Sequence, residues 1–144
     1  MQLITFVVDD EVYGLDIDRV KEIKGWAAPR PMPNDAPYSL GIIELRGEVF
    51  SIYDMRILFG LDRTNVTSKH VVIFVSTGNE TFGILVDAVT DILSIKEKEI
   101  QPIPAIDETG RNKLLTGMIR QDDRMVALMD ITRLRNNDPE RLVG

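Results

Sequence analysis

The sequence contains no cysteine, which removes disulfides, thiolate nucleophiles and cysteine-based zinc sites together. It has one histidine, His70, so a two-histidine metal motif such as HExxH cannot be built, and a Ser-His-Asp arrangement survives by count alone. Positive charge is in deficit: 17 Lys and Arg face 23 Asp and Glu, a formal −6. A nucleic-acid binder draws its affinity from neutralising phosphates, so this balance argues against nucleic acid as a partner. Aromatic residues make up only 6%, leaving few platforms on which unpaired bases could stack. No unbroken apolar run exceeds five residues, the length of Val71–Val75, whereas a membrane-spanning helix needs about 20. The first residues enter a strand pattern at once, without the basic and apolar regions of a secretory leader. These absences predict a cytoplasmic protein with no direct membrane insertion.

What is present suits one domain. A chain of 144 residues, 44% hydrophobic and 28% charged, has the composition of a globular protein. It is long enough to bury a core without a metal or disulfide, and too short for two full-size domains.

The chain also repeats itself. A shift of 69 residues lays Tyr13-Gly14 through Val20-Lys21-Glu22-Ile23 on Phe82-Gly83 through Val89-Thr90-Asp91-Ile92. A shift of 76 lays Gly41-Ile42-Ile43 on Gly117-Met118-Ile119, Val49 on Met125 and Asp54 on Asp130. The seven extra residues fall in a proline-bearing middle, where Pro29, Pro31, Pro33 and Pro37 face Pro102, Pro104 and the segment through Lys113. The matches keep their order, which argues for two copies of one unit, about 3–60 and 71–134, within a single domain spanning 1–144.

Each copy reads as strand pairs. Leu3–Val8 and Val12–Ile17 flank Asp9-Asp10-Glu11, and Val71–Ser76 and Thr81–Val86 flank a polar turn. Ile42–Arg46 and Val49–Tyr53 flank Gly47-Glu48, where glycine at the first central position predicts a type II′ hairpin. Gly117–Arg120 and Arg124–Met129 flank Gln121-Asp122-Asp123. Alternation as in Ile4, Phe6 and Val8 predicts one buried and one wetter face. Short helical turns are expected at Asp18–Ile23 and Asp87–Leu93, and after the N-capping residues Asp54 and Asp130, over Met55–Phe59 and Ile131–Leu134. The fold class is all-β with short helices. Two barrels of about 65 to 75 residues each would be marginal alone, so they are expected to share a core.

No catalytic constellation emerges. The ten glycines form neither G-x-G-x-x-G nor a Walker-type loop. The carboxylates Asp9-Asp10-Glu11 and Asp122-Asp123 sit at hairpin tips, where acids serve turn chemistry and solvation. Asp16 and Asp18 lack the glycine and downstream Glu of an EF-hand loop. His70 reads as a surface residue at a strand entry, and Lys96-Glu97-Lys98-Glu99 as a solvated charge run. We therefore assign no catalytic residue, cofactor or metal. What remains is surface. Glu22 lies within the apolar stripe Ile17, Val20, Ile23, and Arg46 ends a strand, where a guanidinium can fork onto a carboxylate. Val20, Ile23, Ile43, Val89, Ile92 and Leu93 are either core between the barrels or the lining of an open groove that would accept the apolar face of a helix.

The ordered set Tyr13-Gly14-Leu15-Asp16-Ile17, Val20-Lys21-Glu22-Ile23, Gly41-Ile42-Ile43-Glu44-Leu45-Arg46-Gly47, Ile52-Tyr53-Asp54-Met55-Arg56, Phe82-Gly83-Ile84-Leu85-Val86-Asp87-Ala88-Val89 and Leu115-Thr116-Gly117 resembles the CheW-type chemotaxis coupling proteins. The resemblance runs in order from Leu3 to about Leu134. It implies two SH3-like β-barrels around a common core and no enzymatic activity. It implies an adaptor between the histidine kinase CheA, docking through its regulatory SH3-like domain, and the helical cytoplasmic tip of a chemoreceptor. It implies that Val20, Glu22, Gly41 and Arg46 stand at positions linked to receptor coupling or to the Glu–Arg pair supporting it, and Ile23, Ile43, Val89 and Ile92 join them as candidate receptor- or kinase-coupling residues. The family often has Asn at the place of Glu44, Pro and an aliphatic residue at those of Ser51 and Tyr53, and Asn-Ala-Pro where Asn34-Asp35-Ala36-Pro37 stands. These departures keep open a coupling protein of a secondary chemosensory pathway. A small-molecule-binding double barrel is the alternative from a different class.

Overall fold

The computed structural model describes residues 1–103 and 113–136, with side chains through Leu134, so Pro104 and most of the inserted segment lie outside the described residues. The strands are β1 (Gln2–Val8), β2 (Glu11–Asp16), β3 (Val20–Gly25), β4 (Ser39–Leu45), β5 (Glu48–Asp54), β6 (Val71–Ser76), β7 (Thr81–Val86), β8 (Ala88–Ser94), β9 (Leu115–Gln121) and β10 (Arg124–Met129). Two short helices, α1 (Met55–Leu58) and α2 (Thr132–Asn136), follow β5 and β10. Asp54 caps α1 by accepting the Arg56 amide, and Asp130 accepts the Thr132 amide and hydroxyl. The helical turns expected over Asp18–Ile23 and Asp87–Leu93 are instead strands β3 and β8, preceded in the first case by a short 3-10 turn, Ile17–Arg19. Val20 and Val89, β-branched and half-buried, suit strands whose inner face meets the core.

The strands form two five-stranded sheets. The terminal sheet runs β8-β1-β2-β10-β9 and the central sheet β3-β6-β7-β5-β4. The sheets are not the two repeat units: each unit's first hairpin is inserted into the other unit's sheet. β1–β2 lies between β8 and β10, and β6–β7 between β3 and β5. The exchange is symmetric to the residue. Glu22 pairs with Phe74 and Asp91 with Thr5; Gly83 pairs with Ile52 and Gly14 with Leu128. Leu45 pairs with Glu48 and Gln121 with Arg124. All of these pairs map onto one another under the 69- and 76-residue shifts.

Three apolar clusters result. Leu3, Ile95, Ile119, Val126 and Leu128 fill the far side of the terminal sheet, and Ile52, Val72, Phe74 and Leu85 that of the central sheet. Between the sheets lies a shared core containing Phe6, Tyr13, Leu15, Ile73, Phe82 and Ile84, closed by Met55 and Phe59 of the α1 region and by Ile131 and Leu134 at α2. Each such side chain, fully buried, favours folding by about 1.5–3 kcal/mol relative to exposure. The expected wetter face of the Leu3–Val8 strand is largely buried: Phe6 and Val8 lie in the shared core, while Leu3 lies in the terminal sheet's other cluster and Val7 is half-buried. Thr5 is buried too, its hydroxyl 2.7 Å from that of Thr90. All eight Phe and Tyr rings form ring pairs, including Phe6–Tyr13, Tyr13–Phe59 and Tyr53–Phe82, so none is spare as a stacking platform.

Gly83 lies on β7 opposite Ile52 of its parallel neighbour β5. A Cβ there would lie 2.7 Å from both Ile52 Cδ1 and Val72 Cγ1, whereas at the equivalent Gly14 the nearest atom is Leu3 Cδ1 at 3.1 Å. Gly83→Ala is expected to destabilise the fold by about 1–3 kcal/mol, as overpacking does, and Gly14→Ala by less. Urea midpoints of the two variants, measured side by side, check the ranking.

Candidate protein-interaction site

β3 and β4 are the opposite edges of the central sheet, yet side chains from the two ends meet. Arg46 donates from Nη1 to Glu22 Oε1 at 3.2 Å and from Nη2 to Oε2 at 2.5 Å, a two-pronged pair. The sheet must curl for this contact to form. The chain leaving β3 also reaches β4, because Arg30 and Ile42 exchange backbone hydrogen bonds of 2.8 and 2.9 Å. Gly41 makes that approach possible: a Cβ would fall 2.2 Å from the Arg30 carbonyl oxygen, and its φ of +115° is one that side chains disfavour.

Arg46 does not end a strand. Leu45 pairs directly with Glu48, so Arg46 and Gly47 are the two central turn residues, with φ of 50° and 83°. Positive φ at both positions makes this a type I′ turn in place of the expected type II′, and puts Arg46 in the left-handed region. At the tip the guanidinium side chain is 72% exposed, while Glu22 is 25% exposed. Lys24 Nζ stands 3.6 Å from Glu22 Oε1, a second cation that sequence reasoning did not identify. Its signal was the i, i+2 spacing that puts Glu22 and Lys24 on one face of a strand, hidden while the segment was read as helix.

The hydrogen bonds from Arg46 hold the Glu22 carboxyl below its ordinary value of 4.5, helped by the charges of Arg46 and Lys24 and opposed by desolvation. The same hydrogen bonds raise Arg46, followed by the Glu22 charge.

The other predicted residues divide. Val20 on β3 and Val89 on β8 are half-buried against the shared core. Ile23 and Ile92, one turn of the pleat further on, are 41% and 53% exposed. Ile43 packs into the core of the central sheet and Leu93 into that of the terminal sheet. The pseudo-symmetry therefore brings Val20, Glu22 and Ile23 together on one edge strand with Arg46, and places Val89 and Ile92 at the equivalent positions of the other sheet. Val49 on β5, 58% exposed, is an apolar surface residue near the Arg46 turn that sequence reasoning passed over.

Two readings change. His70 is not a simple surface residue: its side chain is only 14% exposed, its Nδ1 accepts the Thr67 amide at 2.9 Å, and its Nε2 lies 3.4 Å from Asp87 Oδ1. Asp9 is not merely solvated, since it accepts from Arg56 Nη1 at 3.1 Å. The polar cleft lined by Arg56, Arg63, His70 and Asp87 thus has most of its groups engaged internally. It gives the small-molecule reading no support.

Among the described residues no three His, Asp or Glu side chains gather as a metal site, and no helix is long and apolar enough to cross a membrane. Two sheets on one core, with an exposed ion pair at a curled edge, define a protein that works through its surface. The CheW-like domain profile matches residues 2–138, and the chain belongs to that family. It is 36% identical over 130 residues to the chemotaxis protein CheW of Rhizobium meliloti, covering 90% of this chain and 84% of that one. It is 32% identical over 142 residues to CheW of Klebsiella aerogenes, covering 99% and 86%. The crystal structure of scaffolding protein TtCheW from Thermoanaerobacter tengcongensis superposes with a TM-score of 0.82 at 28% identity, covering 90% of this chain and 88% of that one. The protein is a non-enzymatic adaptor coupling chemoreceptors to the histidine kinase CheA.

Because Glu22 is held below its free value, its ionised form favours the fold. That contribution is complete above the unfolded-chain value and disappears as pH falls through the lowered one. Removing the guanidinium in Arg46→Ala is expected to return the Glu22 carboxyl toward 4.5. Carbon-detected NMR titration of the Glu22 side chain in the two proteins measures the shift directly.

Proposed function

We propose that coupling is made at the curled edge of the central sheet, through Val20, Glu22, Ile23, Gly41, Ile43 and Arg46, with Val89 and Ile92 at the equivalent edge of the terminal sheet. The two-pronged Glu22–Arg46 pair carries this reading, because it holds a charged hairpin tip in one place while leaving most of the guanidinium in solvent. Exposed Ile23 and Val49 supply apolar surface near it. A helical receptor tip fits such a surface, with an apolar stripe to bury and polar flanks to meet the ion pair. Ile43 and Gly41 act from below: the first is packed under the β4–β5 strands, and the second lets the Arg30 segment close on β4.

Each sheet closes as a small SH3-like barrel in this reading. The support is the return of the chain to the opposite edge in both, with Arg30 pairing to Ile42 and Gln101 to Met118. The kinase partner is the regulatory SH3-like domain of CheA, and the place of action is the cytoplasm, beside receptor tips in membrane-associated arrays. Coupling then operates through geometry. Partner affinity must differ between signalling states by a coupling free energy of about 1–3 kcal/mol for the adaptor to transmit control.

Arg46→Glu is expected to abolish receptor control of kinase activity in a reconstituted receptor–kinase–adaptor assembly while leaving the fold intact. The double change Glu22→Arg with Arg46→Glu should recover part of it by restoring an ion pair of reversed sense. Full receptor control with Arg46→Glu would remove Arg46 from the coupling surface.

A further inference from the structure

The connection 59–70, between α1 and β6, is fastened at several points. The Leu61 amide donates to the Arg56 carbonyl oxygen at 2.8 Å, and Arg56 Nε donates to the Asp62 carbonyl oxygen at 3.1 Å. Thr64 gives its amide and its hydroxyl to the buried Asp54 carboxylate, at 2.9 and 2.6 Å. Val66 packs against the far cluster of the central sheet, as Trp26 does.

The end of the connection is a turn closed by a titratable ring. The His70 amide donates to the Thr67 carbonyl oxygen at 3.2 Å, and the Thr67 amide donates to His70 Nδ1 at 2.9 Å. Thr67 Oγ1 accepts the Lys69 amide and also stands 3.2 Å from Nδ1. The His70 carbonyl oxygen then accepts the Trp26 amide at 3.2 Å. Trp26 directly follows β3, and further along the same segment Arg30 exchanges hydrogen bonds with Ile42 at the curled edge. The turn therefore holds the near end of a segment whose far end reaches that edge.

This geometry dictates what a proton does to the ring. Because an amide N–H points at Nδ1, the neutral imidazole carries its proton on Nε2, 3.4 Å from Asp87 Oδ1. A second proton can go only to Nδ1. Two donors then face each other, and the bond from the Thr67 amide is lost. Thr67 Oγ1 can accept from the new N–H, which leaves the amide of this exposed residue to water. On the other side the contact with Asp87 becomes an ion pair. The charged groups around the ring are Asp87 at the β7–β8 crossing, Arg56 of α1, Asp62 and Arg63 of the connection, and the chain neighbour Lys69. Asp9 of the β1–β2 turn joins them, its amide on Asp87 Oδ2 and its carboxylate on Arg56. Acids and bases are evenly matched there, so the direct partners Thr67 and Asp87 set the response.

We propose that His70 is a pH-responsive positioning residue for the curled edge. Its neutral ring closes the turn 67–70 on Trp26, and its protonated ring moves toward Asp87 and lets the turn open. Acidification thereby loosens the segment 26–30 at its root. The consequence for coupling rests on placing the coupling surface at this edge; the toggle itself does not.

The chain has one histidine and one tryptophan, so each signal belongs to a single residue. Nitrogen NMR of the imidazole in the full chain, from about pH 8 to about pH 5, gives its tautomer and the midpoint of its titration. The neutral ring is expected to carry its proton on Nε2. Hydrogen-exchange protection of the Thr67 amide should fall about five- to tenfold across the same midpoint, as for the loss of one ordinary hydrogen bond. Trp26 emission should shift with it. His70→Asn sets an acceptor that does not titrate near the place of Nδ1, and it should hold both signals level over the range. A neutral ring protonated at Nδ1 would overturn the proposal. So would Thr67 protection or Trp26 emission indifferent to the imidazole titration, or an equal pH response in His70→Asn. None of these signals involves a receptor or kinase, so their failure leaves the coupling surface as assigned, and failure of that surface leaves them unchanged.

Discussion

Phe6, Tyr13, Phe59, Ile73, Phe82 and Ile84 pack into one core between two sheets, and most of the rest of the molecule is arranged around that packing. Strands that face it on one side face a second apolar cluster on the other, as β6 does through Ile73 and Val75 against Val72 and Phe74. Such strands give neither face to water, and an interior place in the sheet also pairs the backbone along both of their edges. β1–β2 and β6–β7 occupy interior positions in sheets whose outer strands come from the other repeat unit. Neither unit can then satisfy its own backbone hydrogen bonds alone, which makes the fold cooperative across the whole domain.

The same arrangement moves the interaction surface outward to the edges. β3 and β8 are the edge strands at which the shared core meets solvent, and they carry Val20 with Ile23 and Val89 with Ile92 in matched pairs, the first residue half-buried and the second exposed. Among the described residues, the ion pair between opposite edges of a sheet is found in the central sheet, between Glu22 and Arg46. At the matched positions of the terminal sheet Asp91 stands for Glu22 and Asp122 for Arg46, two acids that cannot pair directly. The two halves share a backbone plan and differ in surface chemistry, as an adaptor with two different partners requires.

Much of this was legible in the sequence, and the rest was hidden for identifiable reasons. Eight of the ten strands and the Asp54 and Asp130 caps follow from local patterns. β3 and β8 were missed because Val20, Ile23 and their neighbours fall at spacings that suit a short helix as well as a strand edge. The alternation of Ile4, Phe6 and Val8 was legible, but alternation cannot distinguish water from a second core. Hairpin exchange leaves no local trace, since it concerns which strands pair and leaves open none of the residues that form them. Arg46 was placed one position early in its hairpin because Gly47 invites the first central position, and only the Leu45–Glu48 pairing shows that both turn residues have positive φ. His70 and Asp87 lie 17 positions apart in the sequence. Their contact is a product of topology.

This chain joins a receptor to a kinase by surface contacts alone. Titration of the purified protein against the isolated regulatory domain of CheA from the same source, followed by calorimetry, tests it most directly. Saturable one-to-one binding, weakened by substitutions on the outer edge of one sheet, is the expected result. An absence of saturable binding to any CheA of that source would contradict it, leaving a CheW-like fold whose partners must be sought elsewhere.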